Sequence, residues 1–489
     1  MSSTTFAELG VPVQLTDVLE RDGKTHAFPI QVGTLPDTLA GRDVLGRGRT
    51  GSGKTLAFSL PTAARLGARG GRAKPGRPRA LILAPTRELA TQIDAVIAPL
   101  AAAYGMRTAT IFGGVSQRRQ EQALHRGVEI VVACPGRLED LMGQGHVSLD
   151  AVEVTVLDEA DHMADLGFLP GVTRIMNATP QRGQRLLFSA TLDNGVDKLV
   201  KRFLSDPVTH AVDPADSPVE AMTHHVFHTE GADAKRDLIH MLASGTSRRI
   251  LFTRTKHQAK KLAKQLTAAG IPAVDLHGNL SQNARDRNLA AFAGDEARVL
   301  VATDVAARGV HVDGVELVVH VDPPAEHKAY LHRSGRTARA GSAGDVVTVV
   351  LPEQRRETSQ LLRKAGITVR PEAVSAASPQ VVRLVGEVAA PVAPSAAPAP
   401  AQRSRTQRPG SSAGSSAGGD SVRSGRRRGG RRRSGAGSAQ GSGAGKSAAP
   451  ASSARPQRQA QRGSSSSGNG GAAAFSSRGG SGVSRRRSR

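Results

Sequence analysis

Short apolar, β-branched runs recur along the chain: ALILAP (80–85), TATIFG (108–113), EIVVAC (129–134), VEVTVL (152–157), RRILFT (248–253), RVLVAT (298–303) and VELVVHV (315–321). Between them lie longer segments of helical pattern, such as RELATQIDAVIAPLAAAY and KHQAKKLAKQLTAAG. Near-continuous apolar strands alternating with helices predict an α/β fold of parallel sheets covered on both faces. Chemistry in such sheets gathers at the C-terminal ends of the strands. A Pro- and Asp-rich break at 205–222 divides the pattern, so two α/β domains are expected, 1–210 and 222–372, with a linker at 211–221. GARGGRAKPGRPR (67–79) reads as a surface loop, and no period of a solenoid repeat is present.

The pattern stops near residue 375, where VAPSAAPAPA leads into Gly, Ser, Ala and Arg. Residues 373–489 are expected to form a disordered tail, because so little apolar surface cannot offset the entropy of ordering. The tail also explains the charge. Of a net +24, the last 89 residues hold +18, from 18 arginines and Lys446 against a single acid, Asp420. GRRRGGRRR (425–433) and VSRRRSR (483–489) suit electrostatic capture of a polyanion, and a purely solubilising role is the plainer alternative. With Phe475 the only aromatic after residue 400, base stacking is not the tail's expected mode. A single cysteine, Cys134, excludes a disulfide framework and fits a reducing compartment. No basic-apolar leader and no long apolar run is visible, so a soluble, cytoplasmic protein without membrane contact is expected.

The strongest local signal is DVLGRGRTGSGKT, in which Gly48, Gly53, Lys54 and Thr55 fit G-x-x-x-x-G-K-[ST] between an apolar strand and the helix LAFSLPTAARL. Glycines let backbone N–H groups curl round a triphosphate, Lys54 can reach the β- and γ-phosphates, and the Thr55 hydroxyl can ligate Mg²⁺. The strand VEVTVL runs into Asp158-Glu159-Ala160-Asp161. There Asp158 would hold magnesium through its water shell and Glu159 would orient the attacking water.

These segments, in their order, resemble a DEAD-box RNA helicase over about residues 6–370. FAELG…GKTHAFPIQ resembles the adenine-recognising Q motif, GRGRTGSGKT the phosphate loop, and PTRELA (85–90), GG (113–114) and CPGR (134–137) the RNA-facing motifs of the first domain. DEAD (158–161) and SAT (189–191) follow, then ILFTRTK (250–256), QNAR (282–285), ATDVAARG (302–309) and HRSGRTAR (332–339). Several positions depart from the family pattern: Gly48 for Ala, Ala27 and Phe28 for Pro and Thr, Cys134 for Thr, His311 for an acid, Ser334 for Ile and Ala338 for Gly.

The resemblance implies two tandem RecA-like P-loop domains and hydrolysis completed by their closure, with ATP as substrate and Mg²⁺ as cofactor. It implies nucleotide contacts from Phe6, Gln31, Arg49, Thr50, Gly51, Ser52, Gly53, Lys54, Thr55 and Asp304, with Gln31 reading the adenine edge. Lys54, Asp158 and Glu159 would serve catalysis, joined by Arg336 and Arg339 at the arginine-finger positions. Arg87, Gly114, Arg137, Arg285 and Thr303 would grip the RNA backbone with little regard for sequence, single-stranded or in short duplexes. Asp161, Ser189, Thr191 and His332 would couple hydrolysis to strand separation, since no G-x-S-x-G frame supports a nucleophilic serine. The implied function is an RNA-dependent ATPase that unwinds short duplexes or remodels RNA–protein complexes. An ATP-gated clamp or RNA chaperone is the second reading. His224, His225 and His228 lack a metal-site frame and are expected on an ordinary strand.

Overall fold

The computed structural model describes residues 4–48, 51–192, 194–212, 222–307, 309–310, 312, 314–338 and 343–393. Arg49, Thr50, His311, Arg339 and the tail from 394 onward lie outside the described residues.

The first sheet comprises β1 (Val44–Arg47), β2 (Ala80–Leu83), β3 (Thr108–Ile111), β4 (Ile130–Ala133), β5 (Val154–Leu157), β6 (Gln184–Ser189) and β7 (Val208–Ala211). All pairings are parallel, in the order β3-β4-β2-β5-β6-β1-β7. The inner strands β2, β4, β5 and β6 are buried along their whole length. β2, β4 and β5 are accordingly near-continuous apolar runs, whereas β6 buries Gln184 and Arg185 by donating to the carbonyls of Thr38 (2.8 Å), Arg42 (2.9 Å) and Phe203 (2.6 Å). Ile82, Val132, Val156 and Phe188 face one apolar layer and Leu81, Val131, Leu157 and Leu187 the other. The Pro/Asp-rich break holds more structure than its composition suggests. Its residues 208–211 pair with β1 as an edge strand that alternates half-buried and exposed.

The second sheet comprises β8 (Met222–His228), β9 (Arg248–Phe252), β10 (Ala273–Leu276), β11 (Val299–Ala302), β12 (Val315–His320), β13 (Gly344–Val350) and β14 (Glu372–Ala373). Its order, β10-β11-β9-β12-β13-β8-β14, is the first sheet's order advanced by seven, again all parallel. The two lobes are therefore one topology used twice, which no sequence repeat announced. His224 and His225 on β8 lie on opposite faces; His224 Nδ1 meets the Tyr330 hydroxyl at 2.9 Å and His225 Nε2 meets Asp345 at 2.9 Å.

The expected end of the second domain at 372 needs correction. β14 pairs with β8, and the helix Pro379–Val385 buries Val381 and Val385 in the apolar layer that holds Phe227, Leu238 and Leu242. Beyond it, Thr246 N–H donates to the Glu387 carbonyl (3.1 Å), Ala389 N–H to Ser244 (2.9 Å) and Val392 N–H to Gly270 (2.9 Å). The buried Arg249 donates to the Val385 carbonyl at 2.7 Å. Two valines four apart make an apolar stripe on a helix, and an Ala/Pro-rich average hides so short a stripe. No helix among the described residues is long and apolar enough to cross a membrane.

Cutting the chain after Ala393 should leave its melting temperature unchanged. Cutting after Pro371 removes the two buried valines and leaves Arg249 short of an acceptor, and should lower the melting temperature by roughly 5–10 °C in a thermal scan.

Candidate functional site

Residues 48–53 leave β1 and open into the helix Lys54–Arg69. Gly51 and Gly53 take left-handed backbone at φ 88° and 91°, which side-chain-bearing residues resist. Lys54 is buried and its ammonium donates to the Gly48 carbonyl at 2.6 Å. The Ser52 hydroxyl is buried without a hydrogen-bond partner among the described residues. A long helix begins at Lys54, so the first-turn amides, Thr55 among them, supply the donors and the positive dipole end that suit phosphate.

The expected base-side residues divide. Gln31 is buried and uses both ends of its amide within the chain: it accepts from the Phe28 N–H (2.8 Å) and donates to the Gly53 carbonyl (2.8 Å). The Q-motif glutamine thus holds the phosphate loop directly. Phe6 is only 3% exposed and packs in the core with Val11 and Leu15, so its ring is a structural element of the N-terminal segment. The aromatic ring that borders the loop is Phe28, 47% exposed, whose edge would touch a Cβ added at Gly53.

At the end of β5, Asp158, Glu159 and Asp161 are all buried. Asp161 ties this turn to the end of β6. Its carboxylate accepts from the Thr191 N–H (2.9 Å) and hydroxyl (3.1 Å), while Ser189 accepts from the Asp161 N–H (3.3 Å) and donates to the Thr191 carbonyl (2.7 Å). The coupling set read from DEAD and SAT is therefore one hydrogen-bonded unit. Glu159 Oε2 lies 2.8 Å from His162 Nδ1, and His162 Nε2 lies 2.9 Å from Nδ1 of His332, in the other lobe.

The two neighbouring carboxyls diverge electrostatically. Burial pushes Asp158 up to about 7; the charges of Glu159 and Asp161 add to this, against Lys54 and the Glu159 N–H. Burial would push Glu159 up as well, but His162, Arg336 and Lys54 outweigh it and hold that carboxyl well below the usual range. Arg336 is buried in the second lobe and donates to the carbonyls of Val310 (2.7 Å) and His332 (3.2 Å), which fix its fork in place. A hard divalent cation takes oxygen ligands. The Asp158 carboxylate and the Thr55 hydroxyl are such donors, and the cost that burial puts on charge at Asp158 is one a cation would relieve, so these residues fit magnesium.

The expected nucleic-acid face lies beside this site. Arg87 follows Thr86, which caps its helix by accepting from the Leu89 N–H (3.3 Å). Gly114, at φ 80°, lets the Arg87 guanidinium lie where a Cβ would sit. Among the described residues Arg137 has Nε and Nη1 buried without hydrogen-bond partners, with Asp140 Oδ2 3.9 Å from Nε. Thr303 follows β11 and its N–H donates to the Leu276 carbonyl (3.2 Å). Arg285 departs from expectation. It is buried, paired with Glu88 of the first lobe at 2.6 Å, and donates to the carbonyls of His277 (3.3 Å) and Ala306 (3.1 Å). Gln282 joins the same contact, donating to Glu88 (3.0 Å) and accepting from Arg87 (3.2 Å). Asp304, expected at the nucleotide, instead takes both forks of Arg333. Gly309, at φ 69°, fits against Thr86 and Leu89 of the first lobe, where any Cβ would overlap the Thr86 hydroxyl. His162, Phe28 and Glu88 were missed in the sequence; only their place beside DEAD, Gln31 and Arg87 could have drawn notice.

Two lobes of one topology, with a phosphate loop in the first and buried arginines of the second turned to its acids, define the tandem RecA-like class of P-loop proteins. The sequence matches the DEAD/DEAH box helicase family over residues 28–199 and the helicase conserved C-terminal domain over 233–341, and the chain belongs to the DEAD-box helicase family. It is 42% identical over 370 residues to the chloroplastic DEAD-box ATP-dependent RNA helicase 3A of Zea mays, covering 74% of this chain and 49% of that relative. It is 40% identical over 354 residues to the ATP-dependent RNA helicase RhlB of Xanthomonas axonopodis pv. citri, covering 71% of this chain and 62% of that relative. The chain thus matches about half to three-fifths of the length of these curated relatives. Saccharomyces cerevisiae Dbp5 bound to RNA and ADP BeF3 has the same fold, with a TM-score of 0.68 and 27% identity over 78% of this chain and 100% of that one.

An acid whose folded-state pKa is raised costs stability as pH climbs from its unfolded value, near 4, toward the folded one, near 7, and the cost is constant above that. In metal-free buffer Asp158→Asn should therefore melt higher than wild type at pH 8. The gain should shrink through pH 6 and vanish by about pH 4 in thermal scans.

Proposed function

We propose that this protein is an RNA-dependent ATPase that opens short RNA duplexes or remodels RNA–protein complexes in the cytoplasm, with hydrolysis completed by closure of its two lobes. The observation that carries this reading is the meeting of the DEAD turn with the HRSGRTAR segment, seen in the 2.9 Å contact of His162 with His332 and in the pull of Arg336 on Glu159. Groups that serve one phosphate are divided between lobes, so neither lobe suffices.

ATP binds with its phosphates at the amides of the loop 48–55 and beside Lys54, and Gln31 reads the adenine edge with the one N–H and one lone pair that its bonds to Gly53 and Phe28 leave over. Asp158 and Thr55 would hold magnesium through water, and the bound ion would supply positive charge beside the phosphates. Glu159 orients the attacking water, and Arg336 with Arg339 steadies the charge that spreads over the transferring phosphoryl group. Asp161, Ser189 and Thr191 join the hydrolytic turn to the RNA side. RNA is gripped along its backbone by Arg87, Gly114, Arg137 and Thr303, with Arg285 acting through its pair with Glu88. Such contacts carry little sequence information and suit single strands and short duplexes. The names of the relatives and the RNA-bound state of Dbp5 support this reading. The arginine-rich segment after 394 adds electrostatic capture of RNA.

Glu159→Gln should cut ATP turnover at least about 100-fold while nucleotide-dependent RNA retention persists. RNA should stimulate the wild type and DNA of the same sequence should not; equal stimulation by DNA would overturn the reading, and retention of RNA without turnover in the wild type would make the protein a clamp. Ending the chain after Ala393 should raise the RNA concentration for half-maximal stimulation by roughly tenfold and flatten its salt dependence, with the maximal rate kept. Gly309→Ala should weaken joint binding of ATP and RNA, read by fluorescence titration, with ADP binding alone unchanged.

A further inference from the structure

His162 directly follows the DEAD tetrad and has no part in that motif. It is buried, three residues beyond Glu159, with both ring nitrogens engaged: Nδ1 at 2.8 Å from Glu159 Oε2 and Nε2 at 2.9 Å from His332 Nδ1. The two rings meet edge to face, 4.1 Å between centres at 83°. Chemistry sets the direction of this chain. A carboxylate only accepts, so in the 2.8 Å contact with Glu159 it is His162 Nδ1 that carries the hydrogen. That leaves Nε2 of the ring turned to His332 Nδ1, with one hydrogen shared between the two nitrogens.

Glu159 needs such support. It sits in left-handed backbone (φ 50°, ψ 51°), unusual for a residue with a side chain, and its carboxylate is out of water. A hydrogen bond on Oε2 fixes the plane of the carboxylate and leaves Oε1 for the attacking water. His162 is itself anchored on its own side by its N–H to Asp161 (3.0 Å), within the unit that reaches Ser189 and Thr191.

We propose that His162 is a positioning residue for hydrolysis: it orients the Glu159 carboxylate, and it is itself set in place by His332 only when the second lobe closes. Lobe closure is then felt at the attacking water through two hydrogen bonds, separately from the arginines that meet the phosphate. The proposal rests on the reading of Glu159 as the group that orients that water.

The test compares full-length wild type with His162→Ala, His162→Asn, His162→Gln and Glu159→Gln, measuring RNA-stimulated ATP turnover, KM for ATP and equilibrium affinity for a fluorescent ADP. Asn can place an amide N–H where Nδ1 stands and so still serve Glu159; Gln places its amide near Nε2 and cannot. His162→Ala should lower kcat by about 10–100-fold with KM and ADP affinity within about twofold of wild type. His162→Asn should recover most of that loss and His162→Gln little. A wild-type kcat in His162→Ala beside an inactive Glu159→Gln would overturn the proposal alone. So would equal losses in the Ala and Asn variants, or a fall in ADP affinity that tracks the fall in kcat. Full turnover in Glu159→Gln would instead overturn the functional reading beneath it.

Discussion

Two carboxyl groups on adjacent residues, Asp158 and Glu159, stand out of water at the end of one parallel strand, and the architecture around them is a set of answers to that charge. Two negative charges so close and so buried cannot both persist without cations or donors in fixed positions. The first lobe supplies Lys54, one strand end away. The second supplies Arg336 and the hydrogen bond between His332 and His162. The two acids therefore part company: Asp158 is pushed toward neutrality and Glu159 is kept charged. That division matches the two tasks of such a site, one group to receive a cation and one to face water.

The repeated topology shows why only one lobe carries the phosphate site. Six residues separate β1 from its helix, whereas only Thr229, Glu230 and Gly231 separate β8 from the helix Ala232–Ala243. Three residues cannot form a nest of amides around a triphosphate. At the corresponding helix start and strand end, the second lobe has Lys235 and Asp322 joined in a buried ion pair at 2.9 Å. The lysine and the acid satisfy one another and leave nothing for a ligand. The second lobe is thereby free to serve as a rigid mount, on which Arg336 is held by two carbonyls and Arg333 by Asp304.

What the sequence disclosed was whatever is local in the chain. The seven apolar runs all became strands: the inner ones because burial on both faces favours apolar residues, the edge strand β3 by alternating half-buried Thr108 and Thr110 with buried Ala109 and Ile111. The phosphate loop was legible from spacing, since glycines, lysine and threonine act within eight residues. The pairing of Asp161 with Thr191 was legible only through the family resemblance, as the two are 30 residues apart. His162 to His332 spans 170 residues and Glu88 to Arg285 spans 197, and no spacing rule reaches that far. Phe28 showed only as a departure from the family pattern. The helix Pro379–Val385 was lost for the opposite reason: its two core valines are local but sit in a stretch whose average composition resembles a linker.

The same contacts separate the arginines that the motifs would group together. Arg137 has buried nitrogens without hydrogen-bond partners among the described residues, so a phosphate placed there would satisfy donors already stripped of water. Arg285 has no such deficit. Its guanidinium is matched by Glu88 across the lobes and by two carbonyls of its own lobe, and burial that would push Glu88 up is outweighed by Arg285 and Gln282. A phosphate at Arg285 would have to displace a buried carboxylate, and breaking a buried pair leaves an uncompensated charge. On the proposed reading, Arg137 therefore provides grip, whereas Arg285 ties the QNAR and PTRELA segments together and keeps the lobes in register. The close approach at Gly309 requires that register, because with Thr86 and Leu89 against it the interface has no room to slide. Two arginines that look alike in the sequence thus divide into a ligand group and a lobe-to-lobe fastening, and the difference is set by whether a carboxylate from the opposite lobe is within reach.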